Sequence, residues 1–292
     1  MRSSRTLRLP PLLLALGLGA APVVMGASVP AAAQVSPAQA HYQTALAHKR
    51  AGRWNEALAE VDAALAIDPN LAAAHLTRGS ILRQLSRLDE ALGAYRRVAE
   101  LQPQHADGHA MVGATLVRLR RFEEAVASLQ RAVQLRPDDT SSWGNLGIAL
   151  RRLNRIDDAV AAYQSGLSHA PNDANLLNNL GVLLRNAGRY QEAADLFRRA
   201  LLTEPNDHAM ILNLAVALRS LERFEDAIPQ YRRALELHPQ YEDAMFDLAA
   251  CYDQLGRNAE AATWYRRYIE AIGNREPDNA ARATTALERV SR

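Results

Sequence analysis

The sequence predicts an all-α fold: a right-handed superhelical solenoid of helix-turn-helix units, closed by a C-terminal capping helix. Three observations carry this reading. Pro69, Pro103, Pro137, Pro171, Pro205 and Pro239 follow one another at a constant interval of 34 residues, and punctuation this even marks stacked repeats. An alanine recurs at one place in seven consecutive blocks, as Ala57, Ala91, Ala125, Ala159, Ala193, Ala227 and Ala261, which points to a close contact between helices. Three residues before it stands a bulky apolar residue, Trp54, Leu88, Phe122, Ile156, Tyr190 or Phe224, preceded by arginine in every block from Arg53 to Arg257; Asn258 alone breaks the apolar column.

These columns frame seven blocks: 38–71, 72–105, 106–139, 140–173, 174–207, 208–241 and 242–275, the last with Gly273 in place of proline. Within a block, apolar residues at helical spacing form two runs, as in Leu146 and Leu150, then Ala159 and Tyr163, with Arg152-Leu153-Asn154-Arg155 between them. Each block therefore reads as helix, tight turn, helix. The turn carries Gly52, Gly188 or Gly256 in three blocks and Asn154 in a fourth, residue types that tolerate the left-handed backbone at a helix C-terminus.

An acid follows in the first turn of every second helix, from Glu56 through Asp158 to Glu260, where the helix dipole favours negative charge. The proline then ends that helix, and Asp139, Asp173 and Asp207 are placed to cap the next one. Pro229 lies inside a second helix and predicts a kink. The first block has His41 and Thr44 where large apolar residues are expected, so it should be the least stable. Residues 276–292 again show helical spacing, at Ala280, Ala283, Leu287 and Val290, and are expected to cover the last block's open apolar face.

Residues 140–173 resemble the tetratricopeptide repeat family, whose pattern is met by Trp143, Leu146, Gly147, Leu150, Ala159, Tyr163 and Pro171; Gly166 departs from its second alanine. The resemblance covers 238 of the 292 residues. It implies a helical interaction scaffold and leaves the partner open.

The N-terminus lies outside the period. Arg2, Arg5 and Arg8 precede an apolar stretch from Leu9 to Met25, followed by small residues ending in Ala31-Ala32-Ala33. Residues 1–33 thus read as a signal peptide cleaved after Ala33, with 34–37 as a short lead-in. The stretch is broken by Pro10, Pro11 and Pro22 and is shorter than the roughly 20 residues of a spanning helix. The alternative is an uncleaved inner-membrane anchor, with the repeats facing the periplasm. Without this segment 31 basic side chains face 32 acidic ones, so the overall charge of +2 gives no reason to expect nucleic acid. Lys49 is the single lysine and alanine is abundant, a bias of GC-rich bacterial genomes that places the expected product in the periplasm or outside the cell. Cys251 is the single cysteine, so no internal disulfide forms.

Beyond the repeats the chain from Gln34 has only 21 residues left, below the roughly 40 that fold unaided, and no hydrolase, zinc-protease or phosphate-loop motif occurs. Gly144 and Gly147 read as a helix-packing pair. His41, His75 and His109 form a column, but neighbouring helices about 8–10 Å apart separate them too widely to share one metal, and His105 with His109 lacks further ligands. No cofactor or metal is expected.

A surface remains. Asn145, Asn179 and Asn213, continued by Asp247, form a ladder on the first helices. It resembles the asparagine ladder in the repeat region of O-linked GlcNAc transferases, which implies a grip on the backbone of an extended peptide; an amide can pair with any peptide unit. Six residues on stand Lys49, Arg83, Arg151, Arg185 and Arg219, interrupted by Val117 and Asp253. Arginine binds carboxylates through paired hydrogen bonds. The expected site is therefore Asn145, Asn179, Asn213, Arg151, Arg185 and Arg219, taking an extended, acidic segment of a protein partner. The residues before the ladder, from Tyr42 to Phe246, include no lysine, so the chain does not match the two-carboxylate clamp of chaperone-binding repeats and that partner class is disfavoured. The alternative role is an accessory subunit that positions an envelope enzyme for glycan synthesis or export.

Overall fold

The computed structural model describes residues 36–273 and 275–292. The expected signal peptide lies outside the described residues. Seven helix pairs follow in order: α1 (Pro37–Arg50) with α2 (Trp54–Ile67), α3 (Ala72–Gln84) with α4 (Leu88–Leu101), α5 (Ala106–Arg118) with α6 (Phe122–Leu135), α7 (Thr140–Arg152) with α8 (Ile156–His169), α9 (Ala174–Asn186) with α10 (Tyr190–Thr203), α11 (His208–Ser220) with α12 (Phe224–Leu237), and α13 (Glu242–Gln254) with α14 (Asn258–Ile272). α15 (Pro277–Val290) follows alone, and no strand occurs among the described residues. No described helix is long and apolar enough to cross a membrane.

The turn inside each pair has one geometry throughout. Gly52, Ser86, Arg120, Asn154, Gly188, Glu222 and Gly256 all have φ between 58° and 77°. The next residue, always arginine, sends its N–H back into the first helix, as Arg87 does to the Leu82 carbonyl at 2.8 Å, which satisfies a carbonyl the helix end leaves open. The left-handed turn is thus a property of all seven blocks, including three whose residue there disfavours it. Ser86, Arg120 and Glu222 each sit where an L side chain costs about 1–2 kcal/mol.

In six of the seven blocks the arginine and acid columns have one joint role. Arg87 meets Glu90 at 2.6 Å, Arg121 meets Glu124 at 2.7 Å, and the pattern repeats at Arg155–Asp158, Arg189–Glu192, Arg223–Asp226 and Arg257–Glu260. Each pair clips the turn to the start of the second helix, and the arginine's hydrogen bond holds Glu90, Glu124, Glu192 and Glu260 below the usual carboxylate range.

Packing explains the small-residue columns. The seven alanines have 0% exposure. Five residues before the ends of α3, α7 and α9, Gly79, Gly147 and Gly181 face Tyr95, Tyr163 and Phe197; a Cβ on Gly147 would lie 2.4 Å from the Tyr163 ring. At Gly144 it would lie 3.5 Å from Leu176, an ordinary contact, so of the expected glycine pair only Gly147 is forced. Gly166 departs from the family's alanine because Leu176 and Trp143 already occupy the space, 2.7 and 2.9 Å from where its Cβ would be.

One local expectation changes. Asp173 and Asp207 cap their helices through Leu176 N and Met210 N, whereas the Asp139 carboxylate makes no backbone cap. It accepts from Ser142 Oγ at 2.6 Å and pairs with Arg136, since the hydroxyl competes for the same oxygen. α12 runs as one helix through Pro229. Pro229 and Glu225, whose carbonyl loses its partner, are both exposed, so water can satisfy that carbonyl.

Neighbouring first helices touch one another, as α5 does α7 and α7 does α9, while second helices show no comparable mutual contact. The first helices therefore line the inner, concave wall. α15 packs on α14 with Ala283 and Val290 buried, and Arg275–Glu242 and Arg289–Asp253 ion pairs tie this end to α13.

Candidate functional site

On the concave wall the asparagine ladder places half-buried side chains on α7, α9, α11 and α13, and it divides in two. Asn145 and Asn179 have no side-chain hydrogen bond among the described residues and line an open hollow of about 260 Å³ with Gly144, Ile148 and Asn175. Asn213 is engaged: its Nδ2 donates to Asn178 Oδ1 at 3.0 Å and its Oδ1 accepts from Arg185 Nη1 at 2.9 Å. Asp247 accepts from the Tyr231 hydroxyl at 3.0 Å and faces Arg219 at 3.5 Å.

The arginine column lies beside this ladder. Arg185 is half-buried, and that burial lowers its pKa; its hydrogen-bond partners are the amides of Asn213 and Asn186, with no carboxylate in ion-pair range among the described residues. Burial also works against the charge on Arg219, but Asp247, then Tyr231 and Cys251, outweigh it, so its pKa is raised. The Arg219 Nε is buried without a hydrogen-bond partner among the described residues. Burial pushes the Asp247 carboxyl up despite Arg219, and pushes the Cys251 thiol up to about 12, which keeps it protonated and unreactive. Arg151 lies at the Tyr163 hydroxyl, a phenol that burial raises to about 12. Asp253, which interrupts the column, is the partner of Arg289 on α15 and of the Tyr265 hydroxyl.

Three of the six expected residues, Arg185, Asn213 and Arg219, share one hollow of about 540 Å³. Leu212, Val216 and Phe246 form its apolar side, Asp243, Asp247 and Tyr268 add polar groups, and α15 contributes Asn279 and Arg282. Asn145 and Asn179 lie in the smaller hollow, and Arg151 lines neither of the two. The sequence reading missed the residues of α15, because they fall after the periodic region and belong to no column. Leu212 and Phe246 were within reach, as the column one residue before the ladder.

The histidine column has a structural explanation. His75 and His109 hydrogen-bond the carbonyls of Pro69 and Pro103 at 2.8 and 3.0 Å, as Trp143 Nε1 bonds that of Pro137 at 2.7 Å. His41 bonds Glu60 at 2.6 Å. Among the described residues no three histidine, cysteine or acidic side chains cluster to hold a metal ion. The groove offers amide hydrogen bonds and arginine side chains.

A curved array of helix pairs with a polar inner wall defines a class of protein-interaction scaffold. Residues 15–249 match the family described as Cilia and flagella-associated protein 70 C-terminal domain, and residues 218–287 match tetratricopeptide repeat. The chain belongs to the tetratricopeptide repeat family. No curated protein matches it in sequence. Among solved structures it is similar to YrrB, titled a TPR protein with an unusual peptide-binding site, at 21% identity and TM-score 0.53 over 63% of this chain and 95% of that one. It is similar to Pseudomonas aeruginosa pilF at 21% identity and TM-score 0.60, over 69% and 92%. A tetratricopeptide repeat protein of Parabacteroides merdae aligns at 14% identity and TM-score 0.62, over 87% and 99%. At these identities the likeness is one of fold.

Proposed function

We propose that this chain is an exported, non-catalytic scaffold that binds an extended, acidic segment of a protein partner along its concave wall, over Asn145, Asn179, Asn213, Arg151, Arg185 and Arg219. The observation that carries the reading is the pair Asn145 and Asn179, whose amides face an open hollow with no partner among the described residues. Such amides hold donors and acceptors ready for a peptide unit. YrrB, with its peptide-binding site, supports the choice of ligand. Export rests on Arg2, Arg5, Arg8 and the apolar stretch from Leu9 to Met25, and places the scaffold in the periplasm or outside the cell. The test is a pull-down from envelope extract with the tagged chain beside an Asn179→Ala, Asn213→Ala variant, read by mass spectrometry. The expected result is a partner retained by the wild type and lost by the variant. Equal capture by both would remove the ladder from the site.

A further inference from the structure

We infer that the larger hollow at the C-terminal end of the groove anchors one acidic side chain of the bound segment, next to an apolar residue, and that the capping helix α15 helps select it through Arg282. The inference rests on the peptide-scaffold reading above and names the chemistry of its ligand.

The hollow holds more cations than it has anions to pair them. Three guanidinium groups line the hollow, those of Arg185, Arg219 and Arg282. Elsewhere in this chain turn arginines sit 2.6–2.7 Å from their carboxylates, the distance of a strong charge-assisted bond. Among the described residues only Arg219 has a carboxylate in range here, at 3.5 Å from Asp247, and its Nε is buried with no acceptor. Arg185 is half-buried against neutral amides. Arg282 stands over the Phe246 ring at 5.8 Å with no ion pair among the described residues. The half-buried Arg185 without a counter-ion is unfavourable unless something supplies the charge, and the exposed Arg282 adds a further positive group to the same lining.

The lining also limits the ligand. Asp247 is occupied by Tyr231 and Arg219, and Asp243 is exposed at the same hollow, so a second carboxylate would meet repulsion and a single one is favoured. Leu212, Val216 and Phe246 offer apolar surface to the neighbouring side chain. The lining extends from α9 to α15, so the inner wall continues past the last repeat and a segment can run through. The carboxylate is therefore assigned to a side chain and not to a chain terminus.

The test uses the full chain and a positional-scanning library of short acetylated, amidated peptides, read by fluorescence polarisation. Peptides with glutamate or aspartate beside leucine or phenylalanine should bind, their glutamine or asparagine counterparts should bind at least about tenfold more weakly, and Arg185→Gln and Arg282→Gln should each lower affinity for the acidic peptides by about tenfold, erasing most of their preference over the neutral ones. Arg282 is exposed, so its substitution is compatible with folding, and an unaltered thermal midpoint checks this. Equal binding of acidic and neutral peptides, lost in the Asn179→Ala, Asn213→Ala variant, would overturn the anchor and leave the scaffold reading intact. Neutral peptides with free carboxyl termini outcompeting the amidated acidic ones would overturn it in favour of a terminus. An Arg282→Gln chain that binds like wild type would remove α15 from the site, and a library with no binder would overturn both readings.

Discussion

The first three repeats and the last four are built alike and present different surfaces. Gly79 faces Tyr95 in the N-terminal half as Gly147 faces Tyr163 in the C-terminal half, and the clip of Arg87 to Glu90 recurs as Arg189 to Glu192. On the concave wall the same column reads Gln43, Thr77 and Met111, then Asn145, Asn179, Asn213 and Asp247. In the first half Thr77 is taken up by the Tyr42 hydroxyl at 3.3 Å. Positions that meet the next helix are constrained by packing in every repeat; positions that meet the groove are free to differ, and there the repeats specialise.

The sharpest way to break this comparison is to disturb the shared packing. Gly79→Ala and Gly147→Ala should each destabilise by about 1–3 kcal/mol, since both new methyls fall within 2.5 Å of a buried ring. Gly144→Ala, with open contact at 3.5 Å, should instead stabilise α7 by up to about 1 kcal/mol. Urea unfolding of the three variants would check this, and a neutral Gly147→Ala would show that Tyr163 can move aside.

The next effect concerns the groove. Asn179→Ala with Asn213→Ala should weaken partner binding about tenfold or more, whereas Gln43→Ala with Thr77→Ala should leave it unchanged, because two lost hydrogen bonds at about 1 kcal/mol each exceed that factor. Comparable losses from both pairs, measured by titration calorimetry, would mean that the two halves of the wall bind alike.

A smaller gain is expected at the turns. Ser86→Gly in one half and Glu222→Gly in the other should raise stability by about 0.5–1 kcal/mol each, since both residues hold positive φ. Gly188→Ala at the same position should lower it, and thermal melts would read all three.

The smallest effect is the acid response. The clip carboxylates have depressed folded pKa values, so their contribution is present above the unfolded carboxylate pKa and lost as pH falls through the folded values. Asp247 has the opposite sign: burial raises its pKa, so its contribution is present below the unfolded value and lost as pH rises through the folded one. Melts across the acid range should therefore show Glu124→Gln losing part of the acid-induced drop in stability, and Asp247→Asn gaining relative to wild type as pH rises.

Much of the architecture was legible because repetition turns packing into arithmetic. The alanine and proline columns placed the helix pairs, and Gly147 could be read as a contact residue. The left-handed turns at Ser86, Arg120 and Glu222 were not legible, because those residue types do not announce that geometry. The ladder was visible as a row of like residues, but its division was not. Whether an asparagine is used internally, as Asn213 is by Arg185 and Asn178, or left open, as Asn145 and Asn179 are, depends on side chains 28 to 35 residues away.

The sequence by itself determined the helix pairs, their number and the face each turns inward, since these follow from local periodicity and from contacts repeated at a fixed interval. Only the tertiary structure decided which inward residues combine. Arg185, Arg219 and Arg282 converge on one hollow because stacking brings α9, α11 and the aperiodic α15 side by side, and charge balance there is a sum over residues that no single repeat contains.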